Sequence, residues 1–478
     1  MSQLAGLIDL DKEDVTDKIV TMLAYSSPAK ADGYGFSTYK NIEHSTRIPD
    51  FLSQAADAAI GFKLVKIESQ DSIQPLLLSR GAMAFIGRLW QRDKPQNLAF
   101  TEAFSQETVT GMKELLRFNG SYSVVIVEDH KILLSRDLLG VAPLYVGRSG
   151  NLLGVASNIR MLKSVGLDAI SVQPGSIIEL SNSGVNSLYK HSFSVPTVNP
   201  PDMRDAVDQL HELLSASVAI RSHGFQNPTV AFSGGIDSTM IAALLTEIGI
   251  KPHLICVGLE GSGNFEAAES SASALDLNVD IHSFTASDLE DEIPRLLLSV
   301  EEPDPMKIAV AAPLRWVATN TRSKVVFSGN GSDELLGGYA KYVRFYKLDT
   351  EKAKEAIRFD VCNSYAVNYE RDWKTCADVG VELRLPFADA PLTNWGLSLP
   401  LEYKLTPIPE GSRKLVLRAL AKQLGLPPIV VDRPKKAAQY SSGTAKAIDR
   451  FAKKMDLTPQ MYLKKRLDEA LRDDNRKS

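Results

Sequence analysis

Cysteine is scarce in this chain: Cys256, Cys362 and Cys376 are the only three in 478 residues. Their spacing suits neither a metal site nor a disulfide framework, so a reducing, cytoplasmic location is expected. Long apolar runs are missing, as is a charged stretch leading into an apolar one at the N-terminus. No membrane partner and no secretion signal are therefore expected. Charge of one sign is also lacking. The 54 basic and 58 acidic residues leave a net charge of −4, which gives no global case for nucleic-acid binding. A phosphate loop of the G-x-x-x-x-G-K type is absent, and no internal repeat is found.

The remainder is ordinary for a globular protein, with 44% hydrophobic and 23% charged residues. The length suggests two or three domains. Residues 1–194 read as β-rich. "SYSVVIVED", "KILLSRD", "NLLGVAS" and "GSIIELS" are short strand-like runs separated by turn residues. The Pro-rich stretch 195–203 reads as a linker. After it, Met203, Val207, Leu210, Leu214 and Val218 recur at helical spacing. Residues 204–478 then alternate strand and helix: "TVAF", "STMIAALLTEIG", "HLICVG", a helix from about Glu266 to Leu277, "VDIHSF" and "KVVF". This order predicts an α/β fold with a doubly wound parallel sheet, which binds ligands at the carboxyl ends of its strands. The mixed-charge tail from Lys464 to Ser478 reads as a solvated, fraying helix.

"AFSGGIDST" (231–239) carries the strongest chemical signal. Ser233, Gly234 and Gly235 leave a buried strand, and Asp237-Ser238-Thr239 opens a helix. Paired glycines let main-chain N–H groups face an anion, and the helix N-terminus adds partial positive charge. An acid beside a phosphate calls for a cation, which makes Asp237 a candidate Mg²⁺ ligand. The plain alternative is a Gly-rich strand–helix turn without a ligand.

The stretch resembles the SGGxDS pyrophosphate loop of the ATP pyrophosphatase superfamily. "FSGNGSDELLGGY" (327–339) resembles the SGEGSDELFGGY turn of asparagine synthetases. "GVELRLPFAD" (380–389) and "DRPKKAAQYSSG" (432–443) resemble two further elements of that family, the latter closest to its archaeal and eukaryotic branch. Upstream, "SRDLLGVAPLYVG", "GVASNIRML" and "MSQLAGLID" resemble the RDxxGxxPLYYG, "ASE.KAL" and MCGIAGIID segments of the family's glutaminase domain. The resemblance implies an N-terminal Ntn-hydrolase-like αββα sandwich and a C-terminal pyrophosphate-loop domain of the adenine nucleotide alpha hydrolase type. It also implies ATP and Mg²⁺ as cofactors. Ser233, Gly234, Gly235, Asp237 and Ser238 would hold the phosphates, and Phe232, Val257, Ser328 and Gly329 would contact the adenosine. Asp237 and Asp333 would hold Mg²⁺; read alone, Asp333 is equally a helix N-cap. Lys435 would stabilise charge during adenylate formation, with Lys436 the neighbouring alternative. Glu301, or its neighbour Glu302, would serve the amide-forming step; read alone, the pair is a solvated acidic turn.

Departures from the family pattern are concentrated upstream. Ser2 stands where the nucleophilic cysteine belongs and Gln3 where a glycine does. Ser2 would regain a nucleophile's arrangement only as a first residue, its own amine acting as base. "SSPA" (26–29) lacks the Arg and Asp of RGPD, no NGEIYN equivalent is found, and Arg88 is only loosely placed as a carboxylate-binding arginine. Downstream, Asn330 replaces the glutamate of SGEG and Asn264 an aspartate. The implied activity is an AMP-forming C–N ligase, an asparagine synthetase using aspartate and ammonia after loss of glutaminase activity. A separate glutaminase and a homodimer are the protein partners this reading allows. Two alternatives stand beside it: the same adenylation of another carboxylic acid, as in β-lactam synthetases or lasso-peptide cyclases, and a non-catalytic ATP-binding scaffold.

Overall fold

The opening strand, Gln3–Asp9, is buried along its whole length. Side chains alternate across a strand, so both of its faces must be covered. Ala5 and Leu7 pack with Ile19, Met22 and Leu23 of the helix Thr16–Ala24 and with Met161 and Leu162 of the helix Ile159–Lys163. On the other face, a Cβ at Gly6 would meet Val155, Ile60 and Ile132. Ile132 belongs to a second sheet.

The computed structural model describes residues 1–39, 41–48, 55–91, 94–104, 107–191, 193, 202–262, 265–407, 413–433 and 441–475. It divides into two compact units, Met1–Ser192 with Cys376–Glu382, and Phe193–Thr375 with Leu383–Lys477. The linker expected at 195–203 lies almost wholly outside the described residues.

The first unit holds two antiparallel sheets. One has seven strands in the spatial order Asp168–Ser171, Tyr145–Ser149, Leu152–Ala156, Gln3–Asp9, Ala58–Leu64, Gly33–Thr38, Ile42–Ser45. The other has six, ordered Gly184–Lys190, Ser176–Ser181, Lys131–Arg136, Gly120–Glu128, Gly81–Leu89, Leu76–Leu78. Phe100 of the helix Gln96–Glu102 and Met112 and Leu115 of the helix Thr108–Leu115 cover the second sheet through Phe85, Val124 and Ile126. The result is a helix–sheet–sheet–helix sandwich. The turn in "SRDLLGVAPLYVG" is structural here. Asp137 accepts main-chain N–H bonds from Leu139, Val141, Ala142 and Tyr122 at 3.0–3.2 Å.

In the second unit the spatial order is Val279–Phe284, His253–Leu259, Thr229–Ala231, Val325–Phe327, then Glu382–Arg384, and the first four pair in parallel. The chain runs outward from Thr229–Ala231 in one direction and then returns to its other side at Val325–Phe327. That reversal is a topological switch point, where a parallel sheet opens a crevice beyond its strand ends. The expected helical stripe is realised in Met203–Ser222, with Val207, Leu210, Leu214 and Val218 buried. The helix placed at 266–277 spans Phe265–Ser273. The C-terminal helix, Pro459–Asn475, is not wholly solvated, because Tyr462, Leu463 and Ala470 are buried. Among the described residues no helix is long and apolar enough to cross a membrane.

The "LPFAD" stretch is a structural joint. Asp389 accepts from Leu392 N–H at 3.2 Å as a helix N-cap, and its other oxygen lies 2.8 Å from the guanidinium of Arg221. Both side chains are at most 5% exposed. Removing one partner of such a pair strands a buried charge. Asp389→Ala is expected to destabilise the protein by about 3–5 kcal/mol, seen as a lowered thermal midpoint. Arg221 carrying no such dependence would show as an unchanged midpoint.

Candidate active site

The crevice at the switch point is built from two turns. The first follows Thr229–Ala231. Gly234 has φ +65°, and a Cβ there would stand 2.4 Å from Ala267 O. Ser271 Oγ and Arg433 donate to Gly234 O at 3.0 and 2.8 Å, so this carbonyl is held away from any anion. Ser238 Oγ accepts from Ser233 N–H at 3.3 Å and donates to Gly235 O at 3.2 Å. No side chain caps the helix Ile236–Glu247 that follows. Its first N–H groups and its positive end are therefore available to a phosphate.

The second turn runs from Ser328 to Gly331, between Val325–Phe327 and the helix Ser332–Leu335. A Cβ at Gly329 would lie 2.7 Å from Asp237 Cβ, so only glycine lets the two turns touch. Contact brings Asp237 and Asp333 together on Lys414. Its Nζ stands 2.6 and 2.7 Å from the two Asp237 oxygens and 2.6 Å from Asp333 Oδ1, with Ser332 Oγ at 3.2 Å. Ser332 also donates to Asp237 at 2.7 Å. The Lys414 side chain is 3% exposed. The two carboxylates thus already converge on one cationic point. Among the described residues no three His, Cys, Asp or Glu side chains gather to hold a metal on protein ligands alone. Two carboxylates beside a phosphate turn fit Mg²⁺, which characteristically takes one or two carboxylates and completes its shell with water and phosphate oxygens.

The cleft runs on from the turns past Phe232, Ile255, Val257, Val310, Leu314 and Val317. Phe232 N–H donates to Ile255 O at 2.8 Å, and the Thr229–Ala231 strand ends there. Two residues further along, the main-chain groups of Val257 point to the same side, beyond the end of their neighbour strand. A planar base can pair with that edge between apolar walls. Of the expected residues, Phe232, Ser233, Asp237, Ser238, Val257, Ser328, Gly329 and Asp333 line this one cleft. Gly234 and Gly235 shape its turn.

Asn330, singled out in the sequence as a departure, lines the cleft with Asp372, which the sequence did not point to. Asn330 Nδ2 donates to Asp372, whose carboxylate also takes Nε and Nη2 of Arg371 at 2.7 and 3.0 Å. Burial pushes Asp372 above the usual carboxylate range, against the pull of Arg371 and Asn330. Glu301 is elsewhere. It does not line the cleft; its carboxylate, 3% exposed, lies 3.0 Å from Lys374 Nζ. Its backbone is left-handed at φ +67°, a rare position for a non-glycine residue. Glu302 pairs with Lys307 at 2.7 Å. Lys435, Lys436 and Asn264 lie outside the described residues.

In the first unit, Ser2 and Arg88 border a small cavity and are also bonded to protein groups. Ser2 Oγ accepts from Val65 N–H at 3.1 Å and donates to Val65 O. The Gln3 side-chain oxygen accepts from Ser27 N–H at 3.1 Å and from Asn158 Nδ2 at 2.7 Å. Arg88 donates to both Asp71 oxygens at 2.6 and 2.8 Å and to Glu382 at 3.1 Å. Its guanidinium is thereby committed to protein carboxylates. Lys63 donates to Ser27 O, and burial lowers its pKa to about 8, partly opposed by Asp378.

Two expectations follow from these charges. Lys414→Met leaves two partly exposed carboxylates facing each other without their cation, so the thermal midpoint should fall. Added Mg²⁺ should restore part of it, and no recovery would count against a divalent site. For Lys63, the folded pKa near 8 lies below the ordinary 10.5. Between those values the unfolded chain holds a proton that the folded chain has released, so stability rises with pH. Relative to Lys63→Met, the wild-type midpoint should climb from pH 8 towards 10.5.

Comparison with known proteins agrees with this geometry. An asparagine synthase family model matches residues 209–355 and 347–476, and a glutamine amidotransferase domain model matches 63–164. The chain is 30% identical over 434 residues to a protein of Methanocaldococcus jannaschii provisionally named glutamine-hydrolyzing asparagine synthetase 1, covering 79% of this chain and 78% of that one. It is 27% identical to a protein of Acanthamoeba polyphaga mimivirus provisionally named asparagine synthetase, over 73% and 68% of the two chains. For asparagine synthetase 2 of Arabidopsis thaliana the identity is 27% over 60% of this chain, which spans about half of the plant protein, 52%. By the asparagine synthase match over more than half of its length and the 30% identity to the Methanocaldococcus jannaschii protein, the chain belongs to the asparagine synthetase family.

Proposed function

We propose that this protein makes asparagine from aspartate, ammonia and ATP, releasing AMP and pyrophosphate through a β-aspartyl adenylate. The observation that carries the proposal is the convergence of Asp237 and Asp333 on one cationic position beside the 233–238 turn. The phosphates of ATP lie on that turn, and the base lies between Phe232, Val257 and Leu314. Asp237 and Asp333 would hold Mg²⁺, which would neutralise charge on the pyrophosphate. Lys414 adds a fixed positive charge at the same place, where leaving-group charge develops. Lys435 takes the α-phosphate side, on the strength of the family resemblance. The β-carboxylate of aspartate attacks the α-phosphorus and pyrophosphate leaves. Ammonia then attacks the acyl carbon, and AMP leaves as the amide forms.

Ammonia is the nitrogen source in this reading because the first unit lacks the means to hydrolyse glutamine. A serine hydroxyl at position 2 has no thiolate character, and Gln3 and Arg88 are bound to protein groups. A cytoplasmic location and a homodimer belong to the same reading. The family comparisons lend no support to another acceptor or to an inactive scaffold.

The test is AMP release dependent on both aspartate and ammonium, with asparagine identified as product. Ser2→Ala should leave this activity unchanged, and glutamine should not replace ammonium. Absence of both asparagine and AMP overturns the proposal, and glutamine-driven turnover overturns its ammonia part.

A further inference from the structure

Ser442 lines the cleft together with Val257 and Val310. Its main-chain oxygen accepts from Leu259 N–H at 2.9 Å, while Ile255 O accepts from Phe232 N–H at 2.8 Å. Both bonds lie on one edge of the strand His253–Leu259, because the main-chain groups of residues 255, 257 and 259 point to the same side. The paired ladder on that edge stops at Ala231 and Ile255. Val257 thus lies two residues, about 6.6 Å, from each of the two bonds. Phe232 bounds the Val257 edge on one side and Ser442 on the other. The direction of the Ser442 hydroxyl is set by its neighbour. Thr444 Oγ1 donates its one proton to Ala309 O at 2.7 Å. The 3.0 Å contact between Ser442 Oγ and Thr444 Oγ1 must then take its proton from Ser442. Ser442 Oγ keeps acceptor capacity alone, and among the described residues nothing donates to it. Ser442 is 1% exposed and Thr444 is fully buried. A buried acceptor left unfilled costs free energy, which an N–H from a ligand removes.

Resting on the proposed use of ATP, we infer that Ser442 Oγ accepts an N–H from the 6-amino group of the bound adenine, and that Thr444 is the positioning residue that keeps Ser442 an acceptor. The contact is a hydrogen bond and moves no proton. A 6-amino group donates, whereas the 6-oxo group of guanine or hypoxanthine only accepts. An acceptor-only Ser442 therefore favours ATP over GTP and ITP, and a purine without the amino group loses the contact. A site built to pair with a ligand's N–H rejects analogues that lack it.

Calorimetric titration with ATP, ITP and purine riboside triphosphate, which lacks the 6-amino group, provides the test. Ser442→Ala should weaken ATP binding about tenfold, as loss of one hydrogen bond does. Purine riboside triphosphate should stay within about twofold, since it never makes the contact. A purely structural role would weaken both alike. Ser442→Gly carries the same test if Ser442→Ala does not fold. Thr444→Val returns a free proton to Ser442, so the preference for ATP over ITP should shrink about threefold or more. Unchanged ATP affinity in a folded Ser442 variant, or equal losses for ATP and the analogue, overturns the inference. An unchanged ratio of ATP to ITP affinity in Thr444→Val overturns the part given to Thr444. Wild-type protein that binds ATP yet forms no asparagine overturns the proposed function and not this contact, and wild-type protein that binds no ATP overturns both.

Discussion

Two carboxylates from turns far apart in the sequence stand within reach of one ammonium group, and the second unit's site depends on that arrangement. Asp237 and Asp333 would repel one another at close range. Lys414 removes the repulsion, and it does so only because the turns are in contact at Gly329. Arg413, its neighbour, donates to Gly338 O at 2.8 Å and ties the same segment to the stretch after the helix Ser332–Leu335. The turn at 233–238, the cleft beside it and the pair Asn330–Asp372 then follow from a sheet that reverses direction between Thr229–Ala231 and Val325–Phe327.

The first unit illustrates a different constraint. Buried polar groups must find partners whatever becomes of a catalytic function. With serine and glutamine at positions 2 and 3, and neither arginine nor aspartate in 26–29, these groups bond to one another. Gln3 reaches Ser27 and Asn158, and Arg88 takes Asp71 and Glu382. Ser2, Val65, Asp71, Arg88 and Glu382 nevertheless border a small cavity in this unit.

Much of this was legible in the sequence. The glycine pair at 234–235 between an apolar strand and a helix announces its own geometry, as does the second turn at 328–331. Lys414 was not legible, since it lies 177 residues from Asp237 and only the fold joins them. One signal was available: Arg413 and Lys414 stand at the N-terminus of the helix Leu415–Gln423, where the helix dipole disfavours cations. Position 301 could be matched to a motif, but whether its carboxylate turns to ligand or to Lys374 is a tertiary matter. The pairing of Asn330 with Asp372 is equally invisible, because helix Glu370–Asp378 reaches the turn only after the whole unit has packed.

The stretch Cys376–Glu382 has a consequence of its own. It belongs to the first unit although the chain on both sides of it belongs to the second. The backbone therefore passes between units three times, after residues 192, 375 and 382. Fission of the gene at the apparent boundary would give one product without the carboxylate of Glu382 for Arg88, and another carrying that carboxylate with nothing to receive it. Separating the two units into individual polypeptides would have to take seven residues of chain, Cys376–Glu382, out of the stretch that otherwise belongs to the second unit.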